Sequence, residues 1–331
     1  GLELEMPSSN GINDAEIVKA VQEGTLDEAI LDRAVERILN IVFEYVDNRK
    51  EQPLTLEEDH EFAQHVAEES IVKSELLTKN EEKVLPLEKN EKVAFIGGFV
   101  KNPRYQGGGS SHVNSFKVTS VWDALTEKEN VIYAEGFSSE TDVYDEKLAA
   151  EAIEIAKQAD KAVVFAGLPE SFESEGYDRK HMHLPECQDK LIAEIVKAQP
   201  NTIVVLHNGA AVEMPWLKDV KGLVEAYLGG QAVGQAEANI LYGNVNPSGK
   251  LAETLPIKLE DNPSYLNFGD GDKVEYSEGI FVGYRYYDKK KMEVAFPFGY
   301  GLSYTTFEYS NVKTDKDTLT EGETLQVSVD V

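Results

Sequence analysis

Basic residues are scarce in this sequence, cysteine is almost absent, and there is no long apolar run. Lys and Arg number 32 against 60 Asp and Glu in 331 residues, a formal net charge of −28. So acidic a surface repels nucleic acid, anionic membranes and polyanionic substrates, all of which are gripped through Lys and Arg clusters. Neutral small molecules remain as substrates. The one cysteine, Cys187, excludes an internal disulfide framework and a cysteine-ligated metal centre, and the 6 histidines are scattered. Neither a metal nor a cofactor is expected. No apolar run approaches the roughly 20 residues of a membrane-spanning helix, and no secretory leader opens the sequence. The shortage of cysteine favours the cytoplasm over secretion.

What the chain does have is regular alternation of two hydrophobic periods. Short apolar runs at 93–96, 131–134, 162–166, 203–206 and 223–228 alternate with helical patterns near 119–127, 145–159, 185–199 and 231–242. Strand-helix alternation of this kind predicts an α/β domain with a parallel sheet covered on both faces. Its strand ends feed Gly107-Gly108-Gly109-Ser110-Ser111-His112, a long loop at 167–179, Asn208-Gly209-Ala210 and Gly229-Gly230-Gln231. In such sheets ligands sit off the carboxyl ends of the strands, so these loops mark the functional edge.

The ends read differently. Leu2, Leu4 and Met6 alternate with Glu3 and Glu5 as one short strand before Pro7. Helices are predicted at about 14–22 and from the box Thr25-Leu26-Asp27-Glu28 to about Asn48, with Ile30, Ala34, Ile38 and Val42 as an apolar stripe. One strand and two helices cannot close a core, so residues 1–48 are read as the last piece of a larger unit. A polar turn at Arg49 to Pro53 leads to a helix from Leu56 to Ser70, and 71–90 shows no clean period. Residues 49–88 are assigned as connector, 89–258 as the α/β sandwich and 259–305 as its aromatic-rich tail, whose aromatics either pack the tail across the sandwich, the reading favoured for want of regular elements, or line a sugar site. From 306 to 331 the alternation of Phe307, Tyr309 and Val312, then Leu325, Val327 and Val329, predicts the beginning of a β domain.

The loop after 162–166 carries Glu173, Glu175, Asp178 and Arg179. Crowded carboxylates can raise the pKa of one while an Arg holds another ionised, and one protonated carboxylic acid is what glycosidic-bond cleavage requires. The bland reading is a solvated acidic loop. Other motifs weigh less. The glycines at 107–109 lack a following Gly-Lys-Ser/Thr and stand ten residues from their strand, which argues against a phosphate loop and for a flap beside a site. Ser110-Ser111-His112 lacks the Gly-x-Ser-x-Gly elbow of acyl transfer. His112 reads as a loop residue, His207 and Cys187 as structural ones.

Several long motifs in order give a sharper reading. Glu173-Ser174-Glu175-Gly176-Tyr177-Asp178-Arg179, Gly230-Gln231 through Asn246-Pro247-Ser248-Gly249-Lys250-Leu251, Gly279-Ile280-Phe281-Val282-Gly283-Tyr284-Arg285-Tyr286-Tyr287 and Phe296-Pro297-Phe298-Gly299-Tyr300-Gly301-Leu302-Ser303-Tyr304 resemble the family-three glycoside hydrolases, the β-glucosidase group. The resemblance implies that Gly1-Leu2-Glu3-Leu4-Glu5-Met6-Pro7 and its helices end a (β/α)8-type barrel, and that 306–331 begins a fibronectin type III-like domain. It implies Glu175 as general acid/base, with Glu173, Tyr177, Asp178 and Arg179 orienting the loop or binding substrate. The nucleophile, a barrel aspartate in a Ser-Asp-Trp-like segment, falls by resemblance before Gly1, so the sequence alone is expected to be inactive. It departs from the family at Ile71-Val72-Lys73-Ser74-Glu75-Leu76-Leu77-Thr78-Lys79-Asn80, where Lys73-Ser74-Glu75 interrupts an apolar run and puts the register in question.

The function this implies is retaining hydrolysis of neutral β-glucosides or oligosaccharides, carried out with the upstream barrel of the same polypeptide. A β-xylosidase or α-arabinofuranosidase of the family is the first alternative, a non-catalytic sugar-binding module the second. Association into homo-oligomers stays open.

Overall fold

The computed structural model describes residues 2–49, 55–74, 76–139, 141–269 and 271–331. Gly1, part of the polar turn after Arg49, and Glu75 of the interrupted run lie outside them. Contacts divide the chain into two units, Gly1–Asp59 and His60–Val331.

The first unit contains helices α1 (Ile12–Gln22) and α2 (Glu28–Asn48). The cap of α2 is Asp27, whose carboxylate accepts from Ala29 N at 3.1 Å. This displaces the box expected to start at Thr25, because the Thr25 hydroxyl donates instead to Ala20 O at the end of α1. Neither helix buries a residue. The strand expected over Leu2 to Met6 does not form: a strand needs a ladder partner, none pairs here among the described residues, and Leu2, Leu4 and Met6 stand exposed.

The second unit opens within α3 (Leu56–Ser74), which outruns its expected end at Ser70. Strand β1 (Leu76–Asn80) follows, inside the stretch assigned as connector, with a register shift between Leu77 and Lys79. The polar interruption thus resolves into a helix end and a bulged strand. Thr78, buried in that strand, donates its hydroxyl to Leu223 O at 3.1 Å, which makes its burial tolerable.

The regular part is as the alternation predicts. In chain order come β2 (Val93–Ile96), α4 (Val121–Ala124), β3 (Val131–Ala134), α5 (Glu146–Lys157), β4 (Lys161–Gly167), α6 (Glu186–Ala198), β5 (Thr202–His207), β6 (Gly222–Glu225) and α7 (Val233–Leu241). The sheet order is β1-β6-β5-β4-β2-β3, parallel except for the antiparallel edge β1. Side chains alternate across a strand, so each strand feeds two cores. Ala94, Ile96, Ala162, Val164, Ala166, Val204 and Leu206 pack on one face with residues of α5 and α6. Val93, Phe95, Val163, Phe165, Ile203 and Val205 pack on the other with residues of α4 and α7. Every residue of β4 is buried, and each large apolar side chain so placed is worth about 1.5–3 kcal/mol.

The aromatic tail divides. Tyr287 of α8 (Tyr284–Lys290) and Phe296 are buried, and Tyr300 and Tyr304 pack partly buried against the cores. Tyr265, Phe268 and Tyr276 are exposed. Packing follows the backbone here: Leu251 N donates to Tyr300 O and Leu302 N to Leu77 O, which ties only the later residues to the sheet. The expected terminal strands form as the antiparallel pair β7 (Ser310–Thr314) and β8 (Val327–Asp330). Among the described residues no helix is long and apolar enough to cross a membrane.

Candidate active site

Strand β2 lies between β3 and β4, so the chain winds one way from β2 to β3 and the other way from β4 to β6. The carboxyl ends of β2 and β4 therefore flank the reversal point, where open α/β sheets form a crevice. Two loops meet there. After β2 comes the segment bearing Arg104 and the glycines, and after β4 comes the acidic loop.

The acidic loop begins with a forced glycine. A Cβ on Gly167 would lie 2.0 Å from His207 O. Gly167 N donates to Gln188 Oε1 at 2.9 Å and Leu168 N to His207 O at 2.9 Å, so the chain leaves β4 clamped between α6 and β5. Phe172 N and Glu173 N then donate to Pro169 O, making one tight turn.

This turn sends the two expected carboxylates apart. Glu173 points inward, accepting from Arg104 Nη1 at 2.9 Å and from Gly209 N at 2.8 Å. Glu175 is exposed and accepts from Ser110 N at 2.6 Å and from the Ser110 hydroxyl. The crowding expected of the loop carboxylates does not arise. The Ser110 hydroxyl, then its N–H, hold the Glu175 carboxyl below its ordinary pKa. The ion pair of Glu173 is made with Arg104, and Arg179 of its own loop feels the Glu173 charge at longer range. Arg179 reaches Ala211 O at 3.0 Å, and its own pKa is lowered mainly by burial. Tyr177 donates its hydroxyl to Glu170 O at 2.6 Å. Asp178 stays exposed and outside the Arg104–Glu173 cluster, lining a cleft of about 210 Å³ with Phe172, Arg179 and His181.

The glycine segment closes over this loop. Gln106 brackets it, accepting from Val113 N at 2.9 Å and donating to Val113 O at 3.0 Å. Gly109 has φ +87°, and a Cβ there would lie 2.5 Å from Glu175 Cβ. The glycines thus permit backbone contact with a carboxylate loop, not a phosphate. The structural readings of His207 and Cys187 fit their burial. His207 Nε2 lies 2.9 Å from Glu237 Oε1, and burial pushes the Cys187 thiol up to about 12.

A second carboxylate group stands behind the loop. Glu225, at the end of β6, is buried and raised to about 8 by desolvation, against hydrogen bonds from Tyr227 N and Asn208 Nδ2. Glu253, which accepts from the Tyr227 hydroxyl at 3.1 Å, is also raised by burial. Another cleft, about 150 Å³, lies by the amino ends of the strands, lined by Lys89, Glu91, Asn130 and Tyr242 among others. It is on the wrong edge of a parallel sheet for the chemistry of these loops.

Reading the sequence did not single out Arg104. An arginine just upstream of a glycine cluster is its only local signal, and nothing in spacing says that it crosses to another loop.

Residues 76–304 match the Glycosyl hydrolase family 3 C-terminal domain. The chain belongs to glycosyl hydrolase family 3. Within that family it is 53% identical, along its whole length, to 44% of Thermostable beta-glucosidase B of Acetivibrio thermocellus. It is 40% identical, again over its whole length, to 45% of an Exo-alpha-(1->6)-L-arabinopyranosidase of Bifidobacterium longum. The crystal structure of the Bifidobacterium adolescentis GH3 beta-glucosidase superposes on 99% of the chain and 48% of its own length, with TM-score 0.86 and 39% identity. The family-3 chain thus spans about half the length of the relatives it matches.

Proposed function

We propose that this chain contributes the general acid/base, Glu175, of a retaining β-glycosidase that hydrolyses neutral β-glucosides. The observation that carries the reading is the division of labour in the 168–179 loop: Glu173 is consumed by Arg104 and Gly209 N, whereas the Glu175 carboxylate is exposed beside the crevice and is held by Ser110. An aspartate of an upstream barrel would attack the anomeric carbon. Glu175 would give its proton to the glycosidic oxygen as that bond breaks, leaving a covalent glycosyl-enzyme. It would then take a proton from the water that releases the sugar. The lowered pKa of Glu175 suits the second, basic half-reaction. The acidic half-reaction needs the carboxyl protonated, which substrate binding would favour by excluding water around it.

The test is Glu175→Gln in the full-length polypeptide. Hydrolysis of glycosides with poor leaving groups should fall by about 10²–10⁴-fold, while initial attack on activated aryl glycosides, which need no protonation, is spared. Azide should restore turnover by replacing the activated water. Equal loss on both substrate types without azide rescue would remove Glu175 from the role. A second reading is favoured by the name of the Bifidobacterium longum relative: a pentoside as substrate. Comparing kcat/KM on aryl glucoside, xyloside and arabinoside decides between them.

A further inference from the structure

We infer that Arg104 is a positioning residue for the acid/base loop, a role that rests on the reading of Glu175 above. Among the described residues few cations are internal, yet the Arg104 side chain is 7% exposed. Its guanidinium grips the loop three times: Nη1 donates to Leu168 O and to the Glu173 carboxylate at 2.9 Å, and Nη2 donates to Glu173 O at 2.8 Å. The loop is thereby fixed at its entry and again two residues before Glu175. The Glu173 carboxylate is fastened from its other side by Gly209 N. Arg104 also sits three residues before Gly107, on the segment that carries Ser110, the hydrogen-bond partner of Glu175. His207 Nδ1, at 3.4 Å from Arg104 O, links that segment to the end of β5. One side chain therefore sets the distance between the two loops that meet at Glu175.

A planar fork is needed for three such bonds, and an ammonium group is a point donor, so lysine keeps the charge and loses the geometry. The experiment uses the full-length polypeptide carrying Arg104→Lys. We expect kcat on glycosides with poor leaving groups to fall by about 10²-fold, the scale of a displacement near 1 Å. KM should hold, activated aryl glycosides should be far less affected, and azide should recover the lost turnover as it does for Glu175→Gln. A residue that merely stabilises the fold would lower both substrates equally, with no azide response; that result, or wild-type kinetics, overturns the inference. Should Arg104→Lys not fold, Glu173→Gln, isosteric and uncharged, is read by the same two substrates and the same criteria. If Glu175→Gln shows the leaving-group dependence and these variants do not, only the role of Arg104 falls. If Glu175→Gln lacks it, the reading of Glu175 falls and takes this inference with it.

Discussion

At the scale of single residues, environment divides carboxylates that composition treats alike. Glu173, Glu175 and Glu225 are one chemical group in three settings: ion-paired, exposed on a hydroxyl, and buried. Burial raises Glu225 to about 8 from 4.5. A carboxyl that binds its proton more tightly folded than unfolded stabilises the fold fully below about pH 4.5, and that contribution is lost as pH rises to about 8. Glu225→Gln mimics the protonated form, so the variant should lack this component of the pH dependence. Denaturant unfolding at pH 5, 6.5 and 8 checks it. Wild type should lose ground to the variant as pH rises, and a pH-independent difference between them would show that Glu225 does not titrate with folding.

At the scale of elements, the two hydrophobic periods did most of the specification. The runs at 93–96 and 131–134 are β2 and β3 to the residue, because each is a short apolar run bounded by polar turns: β2 is buried throughout, and the edge strand β3 keeps Ile132 and Tyr133 half-buried. Helix ends were less legible, since caps depend on side-chain choices among near neighbours, as Thr25 and Asp27 show. Where a cap is unambiguous its worth can be measured. Asp145 accepts from Lys147 N at 2.8 Å and Leu148 N at 3.0 Å at the start of α5. Asp145→Ala should cost about 1 kcal/mol, a fall in Tm of roughly 2–4 °C for a domain of this size, and unchanged melting would mean that α5 does not need its cap.

For the molecule as a whole, retention requires two carboxylates about 5–5.5 Å apart on opposite sides of the anomeric carbon. Glu173 and Glu175 share one short loop, and Glu173 is engaged by Arg104. Residues 1–331 expressed alone and incubated with an activated 2-deoxy-2-fluoro glycoside should therefore gain no mass. A stoichiometric adduct, or turnover of an aryl glucoside that survives purification, would place a nucleophile within these residues and contradict the two-domain mechanism proposed here.

Sequence by itself determined the α/β class, the order of strands and helices between 93 and 242, the family, and Glu175 as the candidate group, because periodicity and contiguous motifs are local properties written along the chain. It could not determine that Arg104, not Arg179, pairs with Glu173, that Ser110 caps Glu175, or that Leu2 to Met6 goes unpaired. Each of these depends on which segments a folded sheet brings side by side. Residues 104 and 173 are joined only because β2 and β4 are neighbours at the point where the winding reverses, and strand adjacency is set by packing energy across the whole core, not by any residue near the site.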